Sequence, residues 1–141
     1  MRKNVVIVAI LIFLVVDIGE AQFLLGFMGK HTVEMRNALS KGKRVRIHCK
    51  SKNNDLGEHV ISKDKTYSFT FKPNILGGTK FFCGFTFDRT LHWFNIYDQN
   101  RDFNKCKEGS CKWEIKDSGP CFFDWEKKGY NQCSKWDEKQ H

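Results

Sequence analysis

Six cysteines and five histidines carry most of the chemistry this 141-residue chain has to offer. A zinc site would need Cys or His pairs two to four residues apart, with a matching second pair. Only Cys106 and Cys111 come near that spacing, and no second knuckle follows them, so no metal is expected. The histidines, His31, His48, His59, His92 and His141, are scattered without metal-ligand or triad spacing. A hydrolase needs a nucleophile beside a base, and a nuclease commonly needs paired histidines or a carboxylate-held metal. Asp55 with Glu58, and Asp137 with Glu138, lie in polar stretches where carboxylates are ordinarily solvated. The chain has no Gly-rich phosphate loop, no HExxH and no GxSxG. These residues point away from an enzyme and from any cofactor.

What the cysteines do depends on the compartment. Arg2 and Lys3 precede an apolar run from Val5 to Val16, and Gly19-Glu20-Ala21 offers small residues where a signal peptidase checks for them. As a helix that run of 12 would span about 18 Å, short of a bilayer core of about 30 Å. Residues 1–21 therefore read as a secretory signal. The rival reading, a signal anchor, is disfavoured by the short run and by Asp17 and Glu20 directly after it. Cleavage after Ala21 would leave a single domain, residues 22–141, with 22 Lys+Arg against 14 Asp+Glu and a net charge of +8. Cys49, Cys83, Cys106, Cys111, Cys121 and Cys133 all fall in that part. An even count in an oxidising compartment argues for three disulfides, with 15 possible pairings that spacing alone does not resolve.

The elements that would carry these residues are strands. In Lys43 to Lys50, Val45, Ile47 and Cys49 alternate with Arg44, Arg46, His48 and Lys50. Tyr67, Phe69 and Phe71 alternate likewise within Lys65 to Lys72, as do Phe81, Cys83, Phe85 and Phe87 within Thr79 to Phe87, and Cys111, Trp113 and Ile115 within Cys111 to Lys116. Weaker strands are expected at Thr32 to Asn37, His59 to Ser62, Leu91 to Tyr97 and Cys121 to Trp125. Turn signals separate them, and no window gives an amphipathic helix of three turns. Seven or eight short strands in about 120 residues predict an all-β fold, a small antiparallel β-sandwich, with a closed barrel as the runner-up.

The net charge of +8 fits an anionic partner. Arg44, Arg46, His48 and Lys50 share one strand face that could track an acidic polysaccharide, a membrane surface or an acidic protein loop, although a solvated face is the plainer reading. Nucleic acid is disfavoured, because the aromatics fall at core positions instead of forming a stacking platform.

Longer stretches resemble a known family. Ile47-His48-Cys49-Lys50-Ser51-Lys52-Asn53-Asn54-Asp55-Leu56-Gly57 is similar to the "HCKSKDDDLG" signature of the plant self-incompatibility S-protein family. Tyr67 to Phe71, Thr79 to Cys83, Phe94 to Tyr97, and Cys106 with Cys111 to Ile115 resemble its later blocks in the same order, so the likeness spans Val33 to Trp136. Asn53 and Asn54 stand where the signature often has Asp. The tail from Gly119 to Trp136 is similar to the six-cysteine members. If that tail is an added hairpin, Cys121 pairs with Cys133 and the other four cysteines form two bridges among themselves.

The resemblance implies a secreted plant protein with a β-sandwich fold that is read as a ligand by a cell-surface membrane protein. Loops on a rigid scaffold are where recognition usually resides. The expected contacts are Lys52, Asn53, Asn54 and Asp55; Gln99, Asn100, Arg101 and Asp102 with the residues up to Asn104; and third Lys127 to Asn131. The alternative function is a cationic defence protein acting on microbial envelopes. It needs an exposed apolar patch beside the charge, for which Phe82 and the segment Phe23 to Phe27 are the candidates.

Overall fold

The computed structural model describes residues 29–137. The expected signal segment 1–21, the Phe23 to Phe27 segment, Glu138 and His141 lie outside the described residues. Nine strands follow in order: β1 (His31–Asn37), β2 (Val45–Lys50), β3 (Asp55–Ile61), β4 (Thr66–Phe71), β5 (Lys80–Phe87), β6 (Thr90–Asp98), β7 (Ser110–Lys116), β8 (Gly119–Asp124) and β9 (Gly129–Cys133). One α-helical turn, α1 (Gln99–Asp102), sits between β6 and β7, and a 3-10 turn at Ser40–Gly42 lies between β1 and β2.

The strands form two sheets, a five-stranded one in the order β4-β1-β7-β8-β9 and a four-stranded one in the order β3-β2-β5-β6. All neighbours are antiparallel except β1 and β7, which run parallel from the Thr32–Ser110 pair to the Asn37–Ile115 pair. The alternating positions do what period two requires: Val33, Met35, Val45, Ile47, Cys49, Cys83, Phe85, Cys111 and Ile115 are fully buried between the sheets. The half-buried rings of Tyr67, Phe69 and Phe71 on the β4 edge complete this core.

Four expected boundaries change. β3 begins at Asp55 instead of His59, because Gly57, at φ +77°, and its polar neighbours hide the alternation. β8 starts at Gly119 and stops at Asp124, short of Trp125. β9, absent from the strand reading, is the outer edge of its sheet and is mostly exposed, so it carries no apolar periodicity. Gln99–Asp102 forms a helical turn, capped by Asp98, whose side chain accepts from the Asn100 N–H. In β6 a bulge shifts the register between Phe81 and Phe82, and Ile96, Tyr97 and Asp98 are consecutively buried as a result.

Three disulfides brace this frame, Cys49–Cys83, Cys106–Cys111 and Cys121–Cys133. The first joins directly opposed residues of β2 and β5, and the third does the same for β8 and β9. The third is the pair expected for an added hairpin. That hairpin is fixed at its base: Gly119 has φ +147° and a Cβ there would lie 1.8 Å from the Ser134 carbonyl oxygen, so only glycine fits. Beyond it, Trp136 stacks on His92 at 5.2 Å and donates from Nε1 to the carbonyls of Lys116 and Asp117.

Candidate functional site

Strand direction decides which loops meet. In the five-stranded sheet the start of β1 pairs with the end of β4 and runs alongside the start of β7, and in the four-stranded sheet the end of β2 pairs with the start of β3 and the start of β5. The β2–β3 turn, the β4–β5 loop, the β6–β7 connection and the β8–β9 turn therefore share one end of the sandwich. All three groups of expected contact residues lie at that end.

The β2–β3 turn closes on itself. The Ser51 N–H donates to the Asn54 carbonyl at 2.8 Å and the Asn54 N–H donates to the Ser51 hydroxyl at 3.2 Å, which leaves Lys52, Asn53 and Asn54 exposed. Asp55 is engaged from within: it accepts from the Gly57 N–H at 2.9 Å and lies 2.6 Å from His48 Nε2 and 3.7 Å from Lys50 Nζ. The Gly57 N–H, and after it His48, hold the Asp55 carboxyl below its ordinary value. Two of the four groups on the basic β2 face are thus paired with Asp55, whereas Arg44 and Arg46 are exposed and have no ion pair among the described residues.

The β4–β5 loop is held by side chains at its base. Asn74 folds it into a turn: its Oδ1 accepts from the Leu76 N–H and its carbonyl from the Gly77 N–H, with Gly77 and Gly78 at φ +90° and +87°. Gln99 then staples the two sides together. Its Nε2 donates to the Asn74 carbonyl at 2.8 Å and its Oε1 accepts from the Thr79 N–H at 3.0 Å. Between this loop and the β2–β3 turn opens a cleft of about 640 Å³. Lys52, Lys72 and Lys80 line it with Asn53, Asn54 and Asn74, and no carboxylate does.

The second expected contact group is corrected by this geometry. Gln99 and Asp102 are buried, 8% and 2% exposed, and act inside the fold. Asp102 accepts from the Asp98 N–H at 2.9 Å and from Arg101 through both carboxylate oxygens at 2.6 and 2.7 Å. Arg101 also donates to the Asn95 carbonyl and lies over the Phe94 and Trp113 rings at 5.2 and 5.5 Å. The sequence gives no hint of this, because a polar run looks the same whether it faces water or caps a strand end. Asn100 and Asn104 remain exposed, as do Lys127 and Lys128 in the β8–β9 turn.

Two His–carboxylate pairs occur among the described residues, His48–Asp55 and His92–Asp137, and in each the carboxylate also accepts a backbone N–H, from Gly57 or Trp93. Both pairs tie down strand ends. His31, Cys106 and Cys111 bring potential ligand atoms within 4.8 Å of one another, but both sulfurs are consumed in a disulfide and offer no thiolate. His31 is 2% exposed, stacked on Phe103 at 5.2 Å and 3.3 Å from the Tyr97 hydroxyl. Burial lowers its pKa, while burial and the charges of Asp102 and Asp98 push Tyr97 far above the usual phenol range.

A two-sheet body with three disulfides, and loops gathered at one pole, is the frame of a small cross-linked β-sandwich domain. The family model described as Plant self-incompatibility protein S1 matches residues 32–136. The chain belongs to that family. It is 38% identical over 112 residues to S-protein homolog 2 of Arabidopsis thaliana, covering 77% of this chain and 70% of that protein. With S-protein homolog 5 of the same plant it shares 46% identity over 90 residues, 64% of this chain and 69% of that protein. Among solved structures it is similar in fold, at TM-score 0.57 and 17% identity, to one described as SPH (Self-Incompatibility Protein Homologue), "a widespread family of small, highly stable, secreted proteins from plants". The match covers 77% of this chain and 95% of that one.

Proposed function

We propose that this protein is exported and acts as an extracellular ligand, read by a cell-surface membrane protein through the loop pole and catalysing no reaction. The observation that carries this reading is the convergence of the β2–β3, β4–β5 and β8–β9 loops at one end, each held by its own bonds: Ser51 with Asn54 in the first, Asn74 and Gln99 in the second, and Asp124, which accepts from the Glu126 and Lys127 N–H groups, in the third. A loop ordered before binding loses less conformational entropy on contact, which favours selective recognition over adhesion. The secreted character of the structurally similar protein and the signal-like segment 1–21 support export.

Within the pole, Lys52, Asn53 and Asn54 are the readable positions, since their backbone is fixed and their side chains are free. The test is binding of disulfide-intact residues 22–141 to intact plant cells. Binding should saturate, be abolished by protease treatment of the cells, and fall about tenfold or more in a Lys52→Glu, Asn53→Ala variant whose melting curve is unchanged, as for a lost central contact. Equal binding by that variant would remove the β2–β3 turn from the contact surface. Insensitivity to protease would remove the protein receptor.

A further inference from the structure

The tip of the β4–β5 loop carries two adjacent aliphatic side chains in water, Ile75 at 66% and Leu76 at 93% exposed. Solvent exposure of a lone apolar residue is ordinary, but here two consecutive ones stand on a loop built to hold them out. Asn74 bonds the Leu76 N–H, two positive-φ glycines turn the chain behind it, and Gln99 clamps the base. Behind the tip stand Lys52, Lys72 and Lys80. Lys52 and Lys72 have no ion pair among the described residues, and Lys80 reaches Asp98 only at 3.8 Å.

At the opposite pole Arg36 is bonded to Asp64 and Glu114, and Lys43 to Asp88 and Asp117. Lys41, Arg44, Lys63, Lys65 and Arg89 are exposed there without an ion pair among the described residues, so cations alone do not set the loop pole apart. The consecutive exposed pair Ile75–Leu76 beside its lysines does. Exposed carboxylates do occur at the loop pole, Asp55, Glu108 and Glu126, but none lines the lysine cleft, and Asp55 is bonded to His48 and the Gly57 N–H.

We propose that the β4–β5 loop is a membrane-docking element, with Ile75 and Leu76 entering the headgroup–acyl boundary of an anionic leaflet while Lys52, Lys72 and Lys80 contact lipid phosphates. Two arguments favour lipid over a protein groove. A convex tip with its cations set behind it matches a surface that yields to the apolar part and presents a plane of negative charge at the level of the lysines. A protein would need a preformed apolar hole with an acidic rim. The element is small, so binding is reversible and salt-sensitive, and it stands independently of the receptor reading.

The experiment is flotation of disulfide-intact residues 22–141 with vesicles of phosphatidylcholine alone or with 30% phosphatidylserine (about that content sets the anionic surface charge). Binding is expected to the anionic vesicles only, weakening as salt rises from about 0.05 to 0.5 M. Ile75→Ser with Leu76→Ser should weaken it at least about tenfold, and so should Lys52→Gln, Lys72→Gln and Lys80→Gln together. These positions are solvent-exposed, and unchanged melting curves would verify folding. Lack of binding to anionic vesicles, or binding that survives the double serine substitution, overturns the proposal. Loss of cell binding in the same double variant, without vesicle binding by the unsubstituted protein, would assign the tip to a protein partner instead.

Discussion

Asn37 shows how one buried polar side chain organises this fold. It is fully buried at the end of β1, donating from Nδ2 to the carbonyls of Lys43 at 2.8 Å and Ile61 at 2.9 Å, and accepting from the Leu39 N–H at 3.0 Å. It thereby links the five-stranded sheet to the segment leading into β2 and to the end of β3. Asn37→Ala would orphan three backbone groups, and we expect a loss of about 3 kcal/mol by denaturant titration. His31 sets a pH dependence. Its folded pKa lies below the ordinary 6.5, so the unfolded chain binds the extra proton, and the stability present above pH 6.5 is lost as pH falls through the folded value. The melting temperature should drop as pH falls below 6.5, and His31→Phe should flatten that limb. A separate limb below pH 3.8 belongs to Asp117, which the Ser40 hydroxyl, the Ser40 N–H and Lys43 hold at about 2. Its contribution is present above the unfolded value and disappears as pH falls toward 2.

Among the elements, the strand hairpins differ in what their bridges protect. Cys49–Cys83 closes 34 residues across the centre of the four-stranded sheet and Cys121–Cys133 closes 12 at an outer edge, which the chain-entropy account values at about 4 and 3 kcal/mol. Cys49 and Cys83 are also fully buried, so serine there would add buried hydroxyls. We expect Cys121→Ser with Cys133→Ser to raise hydrogen exchange chiefly in β8 and β9, leaving the other sheet protected. Cys49→Ser with Cys83→Ser should cost more and raise exchange throughout. A uniform rise in both variants would show that the tail hairpin is part of the same cooperative unit. α1 makes the complementary point: Gln99 positions the β4–β5 loop, while Arg101 and Asp102 tie the helical turn to the end of β6.

Taken whole, the two ends of the molecule differ in their loops. One carries the Arg36 and Lys43 ion pairs and the Trp136 contacts, and the other the ordered β2–β3 and β4–β5 turns with the Ile75–Leu76 tip. The strands that build the core were legible because burial on one sheet face imposes period two on Val45 to Cys49, Phe81 to Phe87 and Cys111 to Ile115. The family was legible because its motifs fall on those strands and on the β2–β3 turn. β9 and the start of β3 were not, since edge and glycine-bearing strands carry little apolar signal. Of the candidate contact residues, Lys52 to Asn54 stand exposed, whereas Gln99 and Asp102 turn inward, and the exposure of Ile75 and Leu76 is visible only in the folded loop.

The amino-acid sequence alone determined a strand-built, cysteine-rich body of known kin, because alternation, cysteine count and ordered motifs are local properties that need no third dimension to be read. Only the tertiary structure decided which cysteines met, which polar runs faced water and which loops shared a pole. Those outcomes depend on strand order and direction, and residues far apart in the chain, such as Asn74 and Gln99, become partners only once the sheets have closed.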